Sequence, residues 1–494
     1  MTISLWRYSH LLLALISSVF IIIASFTGAI IAFEPISEKL NPYKIKGVEQ
    51  VYLKETVAAL KQNYDEVIDL KTDYNEFVSA TVITKDGIFL SGYIHPLTGA
   101  YLGPEIQKTS LFKFATNLHR SLFLKKTGRI IIGVTSFLLL IISITGILLI
   151  IRRQGSFKNV FSKIVYENFF QYFHVFIGRF SFIPILIITL TGVFLSLFRF
   201  DLFPPDKELV QLVEFETSDK IKLEEFVIFN NTKLLDVTSL TFPFSESVED
   251  NFTLLLKDRK LLINQFSGEI LEDKEIALSQ LFKTLSINLH TGKGSIIWSL
   301  ILAIASINIL FFIYSGFSMT LKRKANKLKN KYKADNSKYV ILVGSENGNT
   351  LAYANTVYNF LIVKGETVYI TELNNYSVFR NCEHIIIFTS TYGKGEAPMN
   401  GNNFIKLLKS VKQSQEINYS VVGFGSVNYP DFCKFAIDIT KTIKQLNLKP
   451  FIQPLYINNK SNTVFIEWCR LWSDKARVAF SVSEYDILEN HRNI

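Results

Sequence analysis

Four long apolar runs stand out along the chain, at Leu11–Phe33, Ile130–Ile151, Ile177–Phe198 and Ile296–Thr320. Each has the ~20 residues that a helix needs to cross a bilayer. After the first and third runs, apolar and polar residues alternate over short stretches such as EFVSATVITK and NFTLLLKD, which predicts β-strands. The pattern therefore predicts four membrane helices and two strand-rich segments.

The first run is open to two interpretations, a cleaved signal peptide or a membrane anchor. It is longer than the apolar core of a signal peptide, and it ends in Phe33-Glu34-Pro35 rather than in small residues. We therefore expect an uncleaved helix.

Beyond Lys338 the pattern changes to continuous apolar runs, YVILVG, HIIIFTS and YSVVGFG, which alternate with helical stretches. This alternation predicts a parallel sheet with βαβ crossovers. Ligands of such sheets bind at the carboxyl ends of the strands, where three polar loops follow these runs. The predicted fold is multi-domain: an all-α four-helix transmembrane bundle, two α+β extracytoplasmic segments and a C-terminal α/β domain.

The predicted boundaries follow from these changes of pattern. They are helix one at 1–33, outer segment one at 34–128, helix two at 129–151, a cytoplasmic loop at 152–173, helix three at 174–199, outer segment two at 200–290, helix four at 291–320, a basic linker at 321–337 and the C-terminal domain at 338–494.

A histidine accompanies each apolar run and is followed by Thr-Gly or Ser-Gly. The sets are His10 with Thr27-Gly28, His119 with Thr145-Gly146, His174 with Thr191-Gly192, and His290 with Ser315-Gly316. The spacings run short, long, short, long, so the first 320 residues are two copies of one unit. Ionisable residues in a membrane are costly and tend to mark function, and imidazole is a common ligand of iron.

Composition and charge narrow the class of protein. Apolar residues make up 48% and charged residues 19%, which is too apolar for a soluble enzyme. Basic residues at Arg7, between the second and third runs, and at Lys322–Lys333 place both termini in the cytoplasm. The net charge of +10 therefore reflects topology and contact with anionic lipid, and we expect no nucleic-acid partner. Three cations at the outer end of helix two weaken this signal without reversing it: Lys125, Lys126 and Arg129.

The histidine repeat and the turns HPLTGAYLG and NQFSGEIL resemble the PepSY-associated transmembrane family over residues 1–320. Members include inner-membrane reductases of ferric siderophores, and the resemblance implies b-type haem. His95 stands where the PepSY turn usually has an acidic residue, and we expect a turn residue there rather than a ligand.

Helix direction sorts the four histidines into one pair at each face. His10 and His174 start helices at the cytoplasmic side, whereas His119 and His290 precede helices at the outer side. At ~1.5 Å per residue, His10 lies about 35 Å from the outer end of its helix, so one haem cannot join both pairs. We expect two haems, with one haem or purely structural histidines as alternatives.

Three loops of the C-terminal domain resemble those of the flavodoxin domain in diflavin reductases such as the sulfite reductase flavoprotein. The residues implied in binding FMN are Ser345, Glu346, Asn347, Gly348, Asn349 and Thr350 in the first loop, Ser390, Thr391, Tyr392, Gly393 and Gly395 in the second, and Gly423, Gly425, Asn428, Tyr429 and Phe432 in the third. The first loop offers phosphate donors, and Tyr392 and Tyr429 are placed to flank the flavin ring. Lys394 and Ser426 replace acidic residues of the family pattern, which points to an unusual flavin potential.

The sequence thus predicts a metal-chelate reductase of the bacterial inner membrane. Electrons are expected to pass from FMN through haem to a ferric siderophore or other ferric chelate outside. No nicotinamide-binding module follows the flavodoxin pattern, so a separate cytoplasmic NAD(P)H-dependent reductase is the expected donor. The alternatives are a redox-sensing or partner-binding envelope protein, and a quinone- or thiol-linked reductase with the same order of electron carriers.

Overall fold

A computed structural model describes residues 3–154, 156–164, 169–200, 211–212, 221–325, 329–345, 348–391, 395–428, 431–458 and 461–478. Its helices are α1 (Ile3–Ile31), α2 (Glu34–Lys39), α3 (Leu53–Asn63), α4 (Ser110–Ser121), α5 (Lys125–Arg153), α6 (Phe169–Arg199), α7 (Val227–Asn231), α8 (Leu278–Thr291), α9 (Ile296–Ala325), α10 (Asn349–Val363), α11 (Phe404–Ser410), α12 (Lys434–Gln445) and α13 (Asn462–Ala476). Its strands are β1 (Glu66–Thr72), β2 (Val78–Ile83), β3 (Phe89–Ile94), β4 (Tyr101–Gly103), β5 (Gln211–Leu212), β6 (Val237–Thr241), β7 (Asn251–Leu256), β8 (Arg259–Asn264), β9 (Ile270–Glu275), β10 (Tyr339–Gly344), β11 (Val368–Glu372), β12 (His384–Ser390), β13 (Asn418–Gly425), β14 (Lys449–Pro450) and β15 (Leu455–Asn458).

The four predicted membrane helices are present. Four stretches of the described chain are long and apolar enough to cross a membrane: Trp6–Lys39, Lys125–Arg153, Phe169–Arg199 and Ile296–Leu321. The helix α5 begins at Lys125 and ends at Arg153. It therefore continues beyond the apolar run into basic residues at both ends.

The two strand-rich segments form a single antiparallel sheet. Its order is β4-β3-β2-β1-β6-β7-β8-β9-β5, so β1 of the first segment pairs with β6 of the second. The junction joins Asp69–Lys71 to Ser239–Thr241. Leu60 of α3 and Phe229 of α7 are buried in the same apolar core as Leu70 and Leu254 of the sheet. The sequence pattern predicts the two segments but not the pairing of their strands.

His95 has the same role in the first copy that Asn264 has in the second. The Nδ1 atom of His95 accepts from the backbone N–H groups two and three residues later, at 3.3 Å each. The Oδ1 atom of Asn264 accepts from the equivalent N–H groups at 2.8 and 3.1 Å. Both turns end in a glycine of positive φ, Gly99 at +68° and Gly268 at +69°. His95 therefore forms a turn, as expected.

The C-terminal domain is the predicted parallel sheet, in the order β11-β10-β12-β13-β14, with β15 paired to β13. Two apolar cores cover its faces, one containing Trp468 and Trp472 of α13 and the other Phe404 of α11 and Ile439 of α12. The chain order reverses between β10 and β12, and such a reversal is where doubly wound folds bind ligands.

Candidate functional sites

The first flavin loop joins β10 to α10. The helix begins after Gly348, which has a φ of +78° that favours glycine, and within the described residues no side chain caps it. The first N–H groups of a helix carry its positive dipole end and commonly bind phosphate. Asn349 and Thr350 open the helix, and Thr350 is only 2% exposed. The N–H group of Ser345 donates to the Oδ1 atom of Asn400 at 2.9 Å.

The second loop lies directly beside the first. β10 and β12 pair in parallel up to Gly344 and Thr389, and the hydroxyl of Ser390 donates to the carbonyl of Gly344 at 3.4 Å. The hydroxyl oxygen of Thr391 accepts from the N–H group of Phe435 at 3.2 Å. Gly395 has a φ of +80° and leaves no room for a Cβ, which would meet the side chain of Lys434.

The third loop closes the same edge of the sheet. The N–H group of Thr391 donates to the carbonyl of Phe424 at 3.2 Å, and that of Asn428 donates to the hydroxyl of Ser426 at 3.3 Å. A Cβ on Gly425 would approach the backbone nitrogen of Cys433 and the ring of Phe432. The structure thus brings together the described members of all three loops.

Several predicted flavin residues lie outside the described residues. They are Glu346, Asn347, Tyr392, Gly393 and Tyr429, together with Lys394. The two flanking aromatic rings therefore remain predictions. The donors and glycines that are described fit a flavin phosphate at the start of α10 and a flat ring beside the adjacent strand ends.

The four repeated histidines share one hydrogen-bond arrangement. Each Nδ1 contacts the hydroxyl of a Thr-Gly or Ser-Gly dipeptide on another helix: His10 with Thr145 at 2.9 Å, His119 with Thr27 at 3.1 Å, His174 with Ser315 at 2.7 Å, and His290 with Thr191 at 3.0 Å. In the first copy, α1 contacts α5 through His10 and α4 through Thr27. In the second copy, α6 contacts α9 through His174 and α8 through Thr191. The dipeptides are evident in the sequence, but these pairings are not.

These contacts fix the proton position in three of the rings. A carbonyl can only accept, so His119 donates from Nδ1 to Ala24 at 2.9 Å, and His290 donates to Ile188 at 3.0 Å. The hydroxyl of Ser315 donates to the carbonyl of Phe312, which leaves its oxygen to accept from Nδ1 of His174. A proton on Nδ1 leaves the lone pair on Nε2, which is the tautomer that ligates a metal through Nε2.

The glycine of the dipeptide makes room for the imidazole. A Cβ on Gly28 would lie 3.4 Å from Cε1 of His119, and one on Gly146 would lie 3.3 Å from Cε1 of His10. At Gly192 the distance to His290 is 3.2 Å, whereas a Cβ on Gly316 would meet nothing within 4 Å. In three of the four cases the glycine therefore admits the ring itself.

His119 and His290 lie close together, with ring centroids 6.2 Å apart. A metal ion shared by two imidazoles would separate their ring centroids by about 6 Å, because each metal–nitrogen bond is about 2 Å long and each ring centre lies beyond its nitrogen atom. Burial, with His119 nearby, lowers the pKa of His290 to about 4, so the ring is neutral, as a metal ligand must be. The donor set and its spacing fit a bis-imidazole haem.

The second pair is His10 on α1 and His174 on α6. The ring of His174 also packs against Phe312, with centroids 5.1 Å apart. Within the described residues, no group of three or more His, Cys, Asp or Glu side chains converges to hold a metal ion. Two imidazoles alone leave coordination positions empty, and a porphyrin supplies four nitrogen atoms to fill them.

A family model described as "PepSY-associated TM region" matches residues 7–323, which is more than half of the chain. The chain belongs to this family. A flavodoxin model matches residues 341–472, which contain β10 to α13. The PepSY-associated family thus supplies the membrane region here, fused to a flavodoxin-like domain whose expected cofactor is FMN.

Two of the similar proteins with curated names share the flavodoxin-like domain. The sulfite reductase (NADPH) flavoprotein alpha-component of Vibrio vulnificus is 27% identical over 157 residues, 31% of this chain and 26% of that protein. The inducible nitric oxide synthase of Gallus gallus is 30% identical over 124 residues, 25% of this chain and 11% of that protein. A Streptococcus pneumonia TIGR4 flavodoxin, a solved structure, is 24% identical and covers 28% of this chain and 97% of its own, with a TM-score of 0.26. The chain thus spans about a quarter of the length of the sulfite reductase relative.

Proposed function

We propose that this protein is a transmembrane oxidoreductase of the bacterial inner membrane. Electrons enter at the flavodoxin-like domain in the cytoplasm and leave to a ferric chelate, such as a siderophore, on the opposite side. FMN and two b-type haems, when bound, supply one-electron carriers along this route. The donor is a separate cytoplasmic NAD(P)H-dependent reductase.

The arrangement of the histidines carries the proposal. Nδ1 of His119, His174 and His290 is held by a hydroxyl on another helix, so Nε2 is the ring nitrogen left for a ligand. Histidines in a membrane are costly and tend to mark function. A metal ligand needs this orientation, because the outer hydrogen bond fixes the tautomer and the ring plane.

The residues of the two candidate sites have different roles. Thr27, Ser315 and Thr191 orient the rings, and the glycines beside them admit the imidazoles or leave space. In the C-terminal domain, the start of α10 would offer N–H groups to the phosphate of FMN, and the ends of β12 and β13 would hold its ring. The acceptor outside the membrane is taken from the family resemblance, since a fold does not by itself name a substrate.

Haem content and topology test the proposal. In the full-length protein, His10→Ala and His174→Ala should each remove one spectral component and leave the other, and His119→Ala and His290→Ala should remove the second. His95→Ala, which alters a turn, is the matched control and should keep both. Reporters fused after Lys333 and near Gly99 should read cytoplasmic and extracytoplasmic, respectively. Full haem content in all four variants, or an outward C-terminus, would rule out this route.

A further inference from the structure

The turn between α4 and α5 adjoins an open cavity of about 330 Å³. Its lining residues are Asn117, Ser121, Phe123, Lys125, Lys126 and Arg129. Three of these six side chains are cationic, and two others carry an amide or a hydroxyl. The volume is at the lower end of the range of small-molecule sites, ~300–1,000 Å³.

The cations are unpaired and sit where a helix disfavours them. Among the described residues, no carboxylate forms an ion pair with Lys125, Lys126 or Arg129, and the first turn of α5 contains no acidic residue. Lys125 and Lys126 lie in the first turn of α5, at the positive end of the helix dipole, which repels them, and Arg129 follows in the next turn. The Nε atom of Arg129 is also buried without a hydrogen-bond partner. An anion in the cavity would offset each of these costs.

The backbone of the turn between α4 and α5 is strained. Leu122, Phe123 and Lys125 adopt φ values of +49°, +59° and +49°, a region that non-glycine residues seldom occupy. Gly128 packs so closely on the backbone oxygen of Ser121 that a Cβ there would overlap it. The turn therefore brings the first residues of α5 against the last turn of α4.

This cavity lies one helix away from a proposed metal ligand. Asn117 and Ser121 are four residues apart and share a face of α4, where the hydroxyl of Ser121 donates to the carbonyl of Asn117 at 3.0 Å. His119 lies two residues from each, so it occupies the opposite face of α4. A ligand in the cavity would be separated from His119 by about the ~10 Å diameter of a helix.

We propose that this cavity binds an oxyanion, a carboxylate or a phosphate group, through Lys125, Lys126 and Arg129. The proposal rests on the proposed function for one point: if the occupant is soluble, it is a carboxylate-bearing ferric chelate held beside the outer histidines. The same chemistry also fits the phosphate of an anionic lipid headgroup. Basic residues that merely anchor a helix at the interface would extend into the headgroup region without forming a cavity.

The test measures binding without electron transfer. Full-length protein in nanodiscs of zwitterionic phosphatidylcholine is titrated with gallium(III) citrate, which resembles ferric citrate in charge and shape but is not reduced. We expect saturable, salt-sensitive binding that weakens at least about tenfold in the Lys125→Gln, Lys126→Gln, Arg129→Gln triple variant. The matched control removes three exposed cations away from the cavity, as Lys54→Gln, Lys85→Gln and Lys233→Gln, and should bind as the wild type does.

Nanodiscs that contain phosphatidylglycerol distinguish the two sources. If this lipid displaces gallium citrate from the wild type, or is enriched around the wild type but not around the triple variant, the oxyanion of the site is a headgroup. The site is refuted if the triple variant binds both anions as the wild type does, or if the control variant loses as much. Reduction of ferric citrate is measured separately. A wild-type protein with flavin and haem that binds gallium citrate but reduces no chelate would refute the proposed function and keep the site.

Discussion

The hydroxyl beside each histidine offers a sharp test of the metal-ligand assignment, and Ser315 is the most informative. Ser315 is fully buried, and its oxygen is the hydrogen-bond partner that the described residues provide for Nδ1 of His174. Ser315→Ala leaves that N–H group unpaired, or lets the proton move to Nε2, where it blocks metal ligation. A buried donor without a partner costs about 1–3 kcal/mol, which corresponds to a roughly 5- to 150-fold weaker haem affinity.

The other histidine of the same copy supplies an internal comparison. Thr191→Val removes the hydroxyl beside His290, but Nδ1 of His290 keeps the carbonyl of Ile188 at 3.0 Å. The loss should therefore stay within the net value of one hydrogen bond, about 0.5–1.5 kcal/mol, or roughly two- to tenfold in affinity. Ser315→Thr retains the hydroxyl that the other three dipeptides already present as threonine, and should behave as the wild type does.

The assay is a haem titration of apoprotein in nanodiscs, followed by the Soret absorbance, with haem content after desalting as a second readout. The order of affinities should be wild type and Ser315→Thr, then Thr191→Val, then Ser315→Ala. Equal affinity in Ser315→Ala and the wild type would mean that the hydroxyl does not hold the ligating tautomer. Equal losses in Ser315→Ala and Thr191→Val would contradict the part assigned to the carbonyl of Ile188.

Three further outcomes are expected. Gly192→Ala should lower the melting temperature of the protein in nanodiscs, because its Cβ would lie 2.6 Å from the hydroxyl of Ser136. Gly316→Ala is the control and should leave the melting temperature unchanged, because its Cβ would meet nothing within 4 Å. Equal melting temperatures of the two variants would contradict this. Thr350→Ala should weaken FMN binding to the full-length protein by about 1–3 kcal/mol if the phosphate is left underpaired, as measured by flavin fluorescence; unchanged affinity would remove Thr350 from the site. Burial raises the pKa of the Cys433 thiol to about 12, so mass spectrometry should find it unalkylated by iodoacetamide at pH 8 until the protein is denatured.

Periodicity predicts the elements of this protein well and their partners poorly. Long apolar runs identify the four membrane helices because the bilayer fixes their length, and continuous apolar strands identify the parallel sheet because it is buried on both faces. The pairing of β1 with β6 is absent from the sequence pattern, since alternation shows which face of a strand is buried but not which strand lies beside it.

The candidate sites show the same limit. The flavin loops are found in sequence because each follows a strand of the sheet directly. The partner of each histidine is not found, because the dipeptide that follows His119 in sequence, at Thr145, contacts His10 instead. The left-handed turn at Leu122–Lys125 is also missed, since it contains none of the glycines that usually mark such a conformation.

The junction between β1 and β6 has a consequence for how the protein is made. After β1 has emerged and paired with β2, its other edge stays open until β6 is synthesised about 165 residues later. At ~5–20 residues per second, that interval lasts roughly 8 to 33 s. An open strand edge readily pairs with other chains, so the nascent strand-rich segment needs shielding during that time. Biogenesis should therefore depend on a chaperone more strongly than the biogenesis of a protein that has membrane helices alone.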